Sequence, residues 1–71
     1  MFDVKRFKAA MILADVTTKE LASRENWSMN TAYRKVNGRS QWTVAEIVVC
    51  KELLNMSADA AEAIFFGQVV H

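Results

Sequence analysis

Apolar residues recur along the chain at helical spacing, in short blocks separated by polar residues that favour helix ends. Phe7, Ala10, Met11 and Ala14 follow the i, i+3, i+4, i+7 rhythm of one helix face, with Val4 one turn earlier, so a first helix is expected from about residue 3 to 14. Asp15 and Val16 break it. Thr17 and Glu20 then form a capping box: the threonine oxygen accepts the amide three residues on, and the glutamate returns to the cap's own N–H. A second helix therefore covers about 18–25, burying Leu21 and Ala22, and Asn26 suits the left-handed conformation that closes a short turn. Ser28 caps a third helix over about 29–36, whose inward residues are Ala32 and Val36. Asn37-Gly38 stops it, because no alternating strand pattern flanks the pair to make it a hairpin.

Thr43 and Glu46 repeat the capping box and open a fourth helix that reaches about Leu54 and carries Val44, Ile47, Val48 and Cys50. The β-branched Val48-Val49 pair lies inside it, and the box ahead outweighs its strand preference. Ser57 is the last cap. It places Asp59 in the first turn, where its charge favours the positive helix end; Ile64, Phe65 and Phe66 follow, and Gly67 terminates the helix. The pattern predicts an all-α chain of five helices forming a single domain over 1–71, without strand, repeat or linker.

Composition narrows the function classes. Seventy-one residues leave little room for an enzyme cleft beside a small core. The absence of Pro and the apolar majority argue against disorder. The lone Cys50 has no disulfide partner and reads as a buried, reduced thiol of an intracellular protein. The apolar runs fall short of the roughly 20 residues a membrane span needs, and no segment resembles a secretion signal. A cytoplasmic location is expected. His71 has no Cys, His or carboxylate near it at metal-ligand spacing, and Glu20 and Glu46 are committed to caps. No catalytic pair, metal, cofactor or small-molecule substrate is therefore expected.

The net charge of +1 hides an asymmetry. Residues 1–42 carry eight basic residues against four acidic, and residues 43–71 carry one against four. A basic front suits a phosphate-facing surface, although solvated faces of small domains show the same imbalance. Lys5, Arg6 and Lys8 on the first helix read as such a solvated face.

Two short helices joined by a tight turn across Asn26 and Trp27, the second opened by a Ser cap, have the spacing of a helix-turn-helix. The run Thr17-Thr18-Lys19-Glu20-Leu21-Ala22, then Trp27 through Arg39, then Trp42-Thr43-x-x-Glu46-Ile47, resembles the phage-repressor-like (Cro/CI, or xenobiotic-response-element) family. Ile64-Phe65-Phe66 matches the ending of its small prophage-encoded members, and the resemblance covers roughly Phe7 to Phe66. It implies a compact five-helix bundle that binds double-stranded DNA at an operator as a homodimer and regulates transcription, most simply as a repressor. The third helix would enter the major groove and the second would lie across its back.

The outer face of the third helix agrees with that expectation. Met29, Asn30, Thr31 and Arg34 are candidate base contacts: Asn pairs with adenine, Arg with guanine, and Met meets a thymine methyl. Thr18, Ser28, Tyr33, Lys35, Asn37 and Arg39 are candidate phosphate contacts. Tyr33 has a second option, packing its ring on Trp27. The chain departs from the family pattern at three places: Asn26 stands at the usual turn Gly, Thr18 where Gln is common, and Met29 at an often polar position. Trp27 and Trp42 read as a buried residue and a hydrophobic staple ahead of a cap rather than as stacking platforms for single strands.

Two alternatives stay open at this level. Ile12, Leu13, Phe65, Phe66, Val69 and Val70 supply more apolar surface than so small a domain comfortably covers. They form either a homodimer interface on the first and last helices or simply the core. Low net charge and Met29 suit a protein-interaction module such as an antirepressor; Asn30, Arg34, Lys35 and Arg39 suit a DNA-binding protein.

Overall fold

Each helix of the structure, a computed structural model that describes residues 2–66, begins on a polar side chain that accepts the amide three residues ahead. Asp3 caps α1 (Val4–Ala14), Thr17 caps α2 (Thr18–Glu25), Ser28 caps α3 (Met29–Val36), Thr43 caps α4 (Val44–Leu53) and Ser57 caps α5 (Ala58–Phe65). Both expected capping boxes are complete: the amides of Thr17 and Thr43 donate to Glu20 and Glu46, each at 2.9 Å. There is no strand among the described residues. The expectations for Gly67, Val69, Val70 and His71 lie outside the described residues.

An apolar residue precedes every cap: Phe2, Val16, Trp27, Trp42 and Met56. The residue five positions later is Phe7, Leu21, Ala32, Ile47 or Ala61, each buried or half-buried. This staple arrangement sets the angle at which the chain enters a helix. At α1 it is an aromatic pair, with the Phe2 and Phe7 rings 5.3 Å apart.

The exits of α1 to α4 follow one rule too. Asp15, Asn26 and Asn55 adopt positive φ of 57°, 63° and 53°, and Gly38 does so at 74°. After each, the next amide reaches back across the turn to a carbonyl of the last helical turn, as Trp27 does to Ala22 at 2.9 Å and Arg39 to Arg34 at 2.8 Å. Gly38 has a second constraint. A Cβ there would lie 3.1 Å from Val4 Cγ2, so the end of α3 rests directly on the start of α1.

Between these short connections, α2 packs on α3 and α4, and α1 packs on α3 and α5. The core runs through all five helices and includes Phe7, Met11, Leu21, Val36, Cys50, Ile64 and Phe65. Phe2, Phe7, Trp42 and Phe65 form an aromatic cluster at one end, with centroid separations from 5.0 to 6.1 Å. The Asp3 amide donates to the Ile64 carbonyl at 2.7 Å, tying the start of the chain to the end of α5. No helix among the described residues is long and apolar enough to cross a membrane. Cys50 is fully enclosed, and burial, then the charge of Glu25, push its thiol up to about 12.

Candidate nucleic-acid interface

The sequence of α3 divides it into two faces. Ala32, Lys35 and Val36 follow i, i+3, i+4 and are buried, which turns Met29, Asn30, Tyr33 and Arg34 outward into solvent. Asn30 and Arg34 sit one turn apart on that outer face. Both side chains are planar groups able to form paired hydrogen bonds to a base edge, Asn30 with one acceptor and one donor, Arg34 with two donors. Thr31 is half-buried at the margin, where its hydroxyl oxygen accepts from Ser28 Oγ at 3.1 Å.

The residues expected at phosphates occupy three situations. Arg39 is exposed just past the end of α3, and Tyr33 is exposed, with no ring contact to Trp27 among the described residues. Thr18 is at the first position of α2, where the backbone amide has no intrahelical acceptor. Ser28 and Asn37 are exposed but already engaged: Ser28 Oγ caps Thr31, and Asn37 Nδ2 donates to the Tyr33 carbonyl at 2.8 Å.

Lys35 departs from the expectation. Its ammonium does not face outward but turns inward, donating to Glu46 Oε1 at 2.8 Å and to the Gln41 carbonyl, 5.6 Å from the centre of the Trp27 ring. The periodicity that buries Ala32 and Val36 includes position 35 between them. Lys35 is thus a structural cation rather than a phosphate contact.

Glu46 gathers the rest of this network. Oε1 also accepts the Thr43 amide, while Oε2 accepts Trp27 Nε1 at 3.1 Å. Trp42 Nε1 donates to the Lys35 carbonyl at 3.2 Å. Burial alone would raise the Glu46 pKa, but the hydrogen bonds from Lys35, the Thr43 backbone and Trp27 outweigh it and hold the carboxyl below its ordinary value. The turn before α3, α3 itself and the loop after it are therefore all clamped to the start of α4.

Glu25, the last residue of α2, lies close to the same ions, and the sequence pattern marked it only as a helix end. Its Oε2 is enclosed without a hydrogen-bond partner among the described residues. Burial first, then the charge of Glu46, raise its pKa to about 7, against the opposing pull of Lys35. Lys5, Arg6 and Lys8 on α1 are exposed, and Arg6 leans back on the Asp3 cap at 3.4 Å.

Comparison of the chain with protein-family models, with curated proteins and with solved structures finds no match in any of the three.

Proposed function

We propose that the chain binds double-stranded DNA through a helix-turn-helix made of α2 and α3, with α3 as the recognition helix, and that it regulates transcription as a cytoplasmic repressor. The observation that carries this reading is the division of α3. Asn30 and Arg34 project from one face, while the opposite face and both flanking turns are held to α4 through Lys35, Glu46, Trp27 and Trp42. A short helix that reads base edges needs such a rigid backing, because its side chains must keep one register in the groove.

Base contacts are assigned to Met29, Asn30, Thr31 and Arg34; phosphate contacts to the Thr18 amide and hydroxyl, Tyr33 and Arg39. The resemblance to phage-repressor-like proteins supplies the rest of the reading: a prophage or mobile-element origin, and an operator bound by a homodimer so that polymerase or a competing repressor is excluded.

The test is a binding assay on duplex DNA from around the protein's own promoter, varying both sequence and salt. Arg34→Ala should cost about 1–3 kcal/mol and relax the preference at one base pair. Arg39→Ala should weaken all sequences alike and lower the salt slope by about one. If both variants and the wild type treat specific and random duplexes identically, α3 does not read DNA. Its exposed Met29 and Tyr33 would then mark a protein-docking helix.

A further inference from the structure

Between the loop that joins α3 to α4 and the aromatic cluster lies a cleft of about 430 Å³, within the size range of small-molecule sites. Its apolar side is aromatic: Phe2, Trp42, Phe65 and Phe66. The rings hold one another in place. Trp42 is stacked on Phe2 at 5.6 Å and meets Phe65 edge-on at 5.0 Å, while its Nε1 is tied to the Lys35 carbonyl. This wall is therefore preformed, and Phe66 beside it is 48% exposed.

The polar side is the loop itself. Arg39 is the one charged residue among the described residues that line the cleft; it is exposed and makes no ion pair with a described residue. The amides of Ser40, Gln41 and Trp42 donate to no backbone carbonyl among the described residues. The Gln41 carbonyl turns inward to Lys35 Nζ, and across a trans peptide this aims the Trp42 N–H the opposite way, away from that ion.

These two sides identify the ligand chemistry. A fixed aromatic wall favours a flat ring through face and edge contacts. A guanidinium pairs with a carboxylate through two parallel N–H···O bonds, and uncommitted amides add to the attraction for an anion. A cation would meet Arg39 as a like charge, and a wholly apolar molecule would cover the loop donors without supplying an acceptor.

We propose that this cleft binds a small planar aromatic carboxylate, its ring against Trp42 and Phe66 and its carboxylate on Arg39. Because Arg39 is also assigned to a DNA phosphate, ligand and duplex compete for one guanidinium. That consequence rests on the DNA-binding reading, whereas ligand binding itself is measured without DNA, so the two fail separately.

The probe is naphthalene-2-carboxylate, titrated into the full chain and followed by proton–nitrogen correlation NMR. Binding should saturate with a dissociation constant on the order of 0.1–1 mM. The largest shifts should fall on the amides of Ser40, Gln41 and Trp42 and on the Trp42 indole N–H. Naphthalene-2-carboxamide keeps the ring without the charge and should bind about fivefold or more weakly. Arg39→Gln should bring the two compounds within about twofold of each other, and Phe66→Ala should weaken both by about threefold or more. With duplex DNA present, saturating carboxylate should lower the wild-type affinity by about threefold or more. No saturable shift up to about 10 mM overturns the proposal, whatever fills the cleft instead. So does a carboxylate bound no better than the amide, or shifts that gather away from the loop. Carboxylate binding that leaves duplex affinity unmoved overturns the competition.

Discussion

The α3 surface and the α4–α5 surface both meet solvent, but what lies beneath them differs. Under α3 sits a network of ions and indole N–H groups, with Lys35, Glu46, Trp27 and Trp42 joining the turn, the helix and the following loop to α4. Under α4 and α5 sits plain apolar core: Cys50, Leu54, Ala61 and Ile64. The outer faces differ as well: α3 presents the planar hydrogen-bonding groups of Asn30 and Arg34 beside Met29 and Tyr33, whereas α4 and the end of α5 present Val44, Val48 and Phe66. Directional bonds fix an orientation, whereas apolar contact is non-directional and rewards area. A helix that must hold a register is backed by directional bonds, and a face that needs only to be covered has no such backing.

The contrast is broken most severely by removing the cation beneath α3. Lys35→Ala leaves Glu46 and Glu25 facing each other without a counter-ion. Breaking a fully buried pair costs about 3–5 kcal/mol. Because Lys35 and Glu46 keep some contact with water, at 11% and 20% side-chain exposure, about 2 kcal/mol is expected here. Lys51→Ala, in the other region, should change stability by no more than about 0.5 kcal/mol. Urea denaturation of the two variants measures both. Equal midpoints would show that Lys35 is as free as Lys51, and would return it to the phosphate-contact role its position in the sequence suggested.

A smaller effect of the same network appears as pH dependence. Glu25 is held at about 7 in the folded chain, against an ordinary 4.5. Between those values the native state binds the extra proton, so stability is full below about 4.5 and falls as pH rises through about 7. Glu46, held below its ordinary value, contributes the reverse: stability present above that ordinary value and lost as pH falls through its depressed pKa. The groups facing Glu25 are Lys35 on α3 and Glu46 and Cys50 on α4. Glu25→Gln should flatten the fall between about pH 4.5 and 7 and leave the acid limb intact. Denaturation midpoints measured across that range decide it, and parallel curves for variant and wild type would rule out the buried carboxyl.

The same two regions differ in how far the sequence revealed them. Caps, boxes and stops are local chemistry, decided within three or four residues. Thr17–Glu20, Thr43–Glu46, Asn26 and Asn37-Gly38 were therefore all legible, and the bounds of α2 and α3 matched. The Lys35–Glu46 clamp was not, because its partners are eleven residues apart and Glu46 already had a complete local role in its capping box. One signal did exist: position 35 falls on the inward face defined by Ala32 and Val36. The role of Phe2 in the aromatic cluster was missed similarly, although an apolar residue just before the Asp3 cap is the staple pattern noted at Trp42.

The smallest effect is expected at Leu13, where the sequence left open whether the apolar surplus on α1 belongs to the core. Leu13 is 88% exposed, whereas Leu21 on α2 is fully buried. Leucine and glutamine have nearly equal helix propensity, so Leu13→Gln isolates the burial of the side chain from the stability of the helix. Its expected effect is within about 0.5 kcal/mol, against about 3 kcal/mol for Leu21→Ala, which leaves a cavity in the core. A loss of about 2 kcal/mol or more in dilute, monomeric protein would put Leu13 in the core.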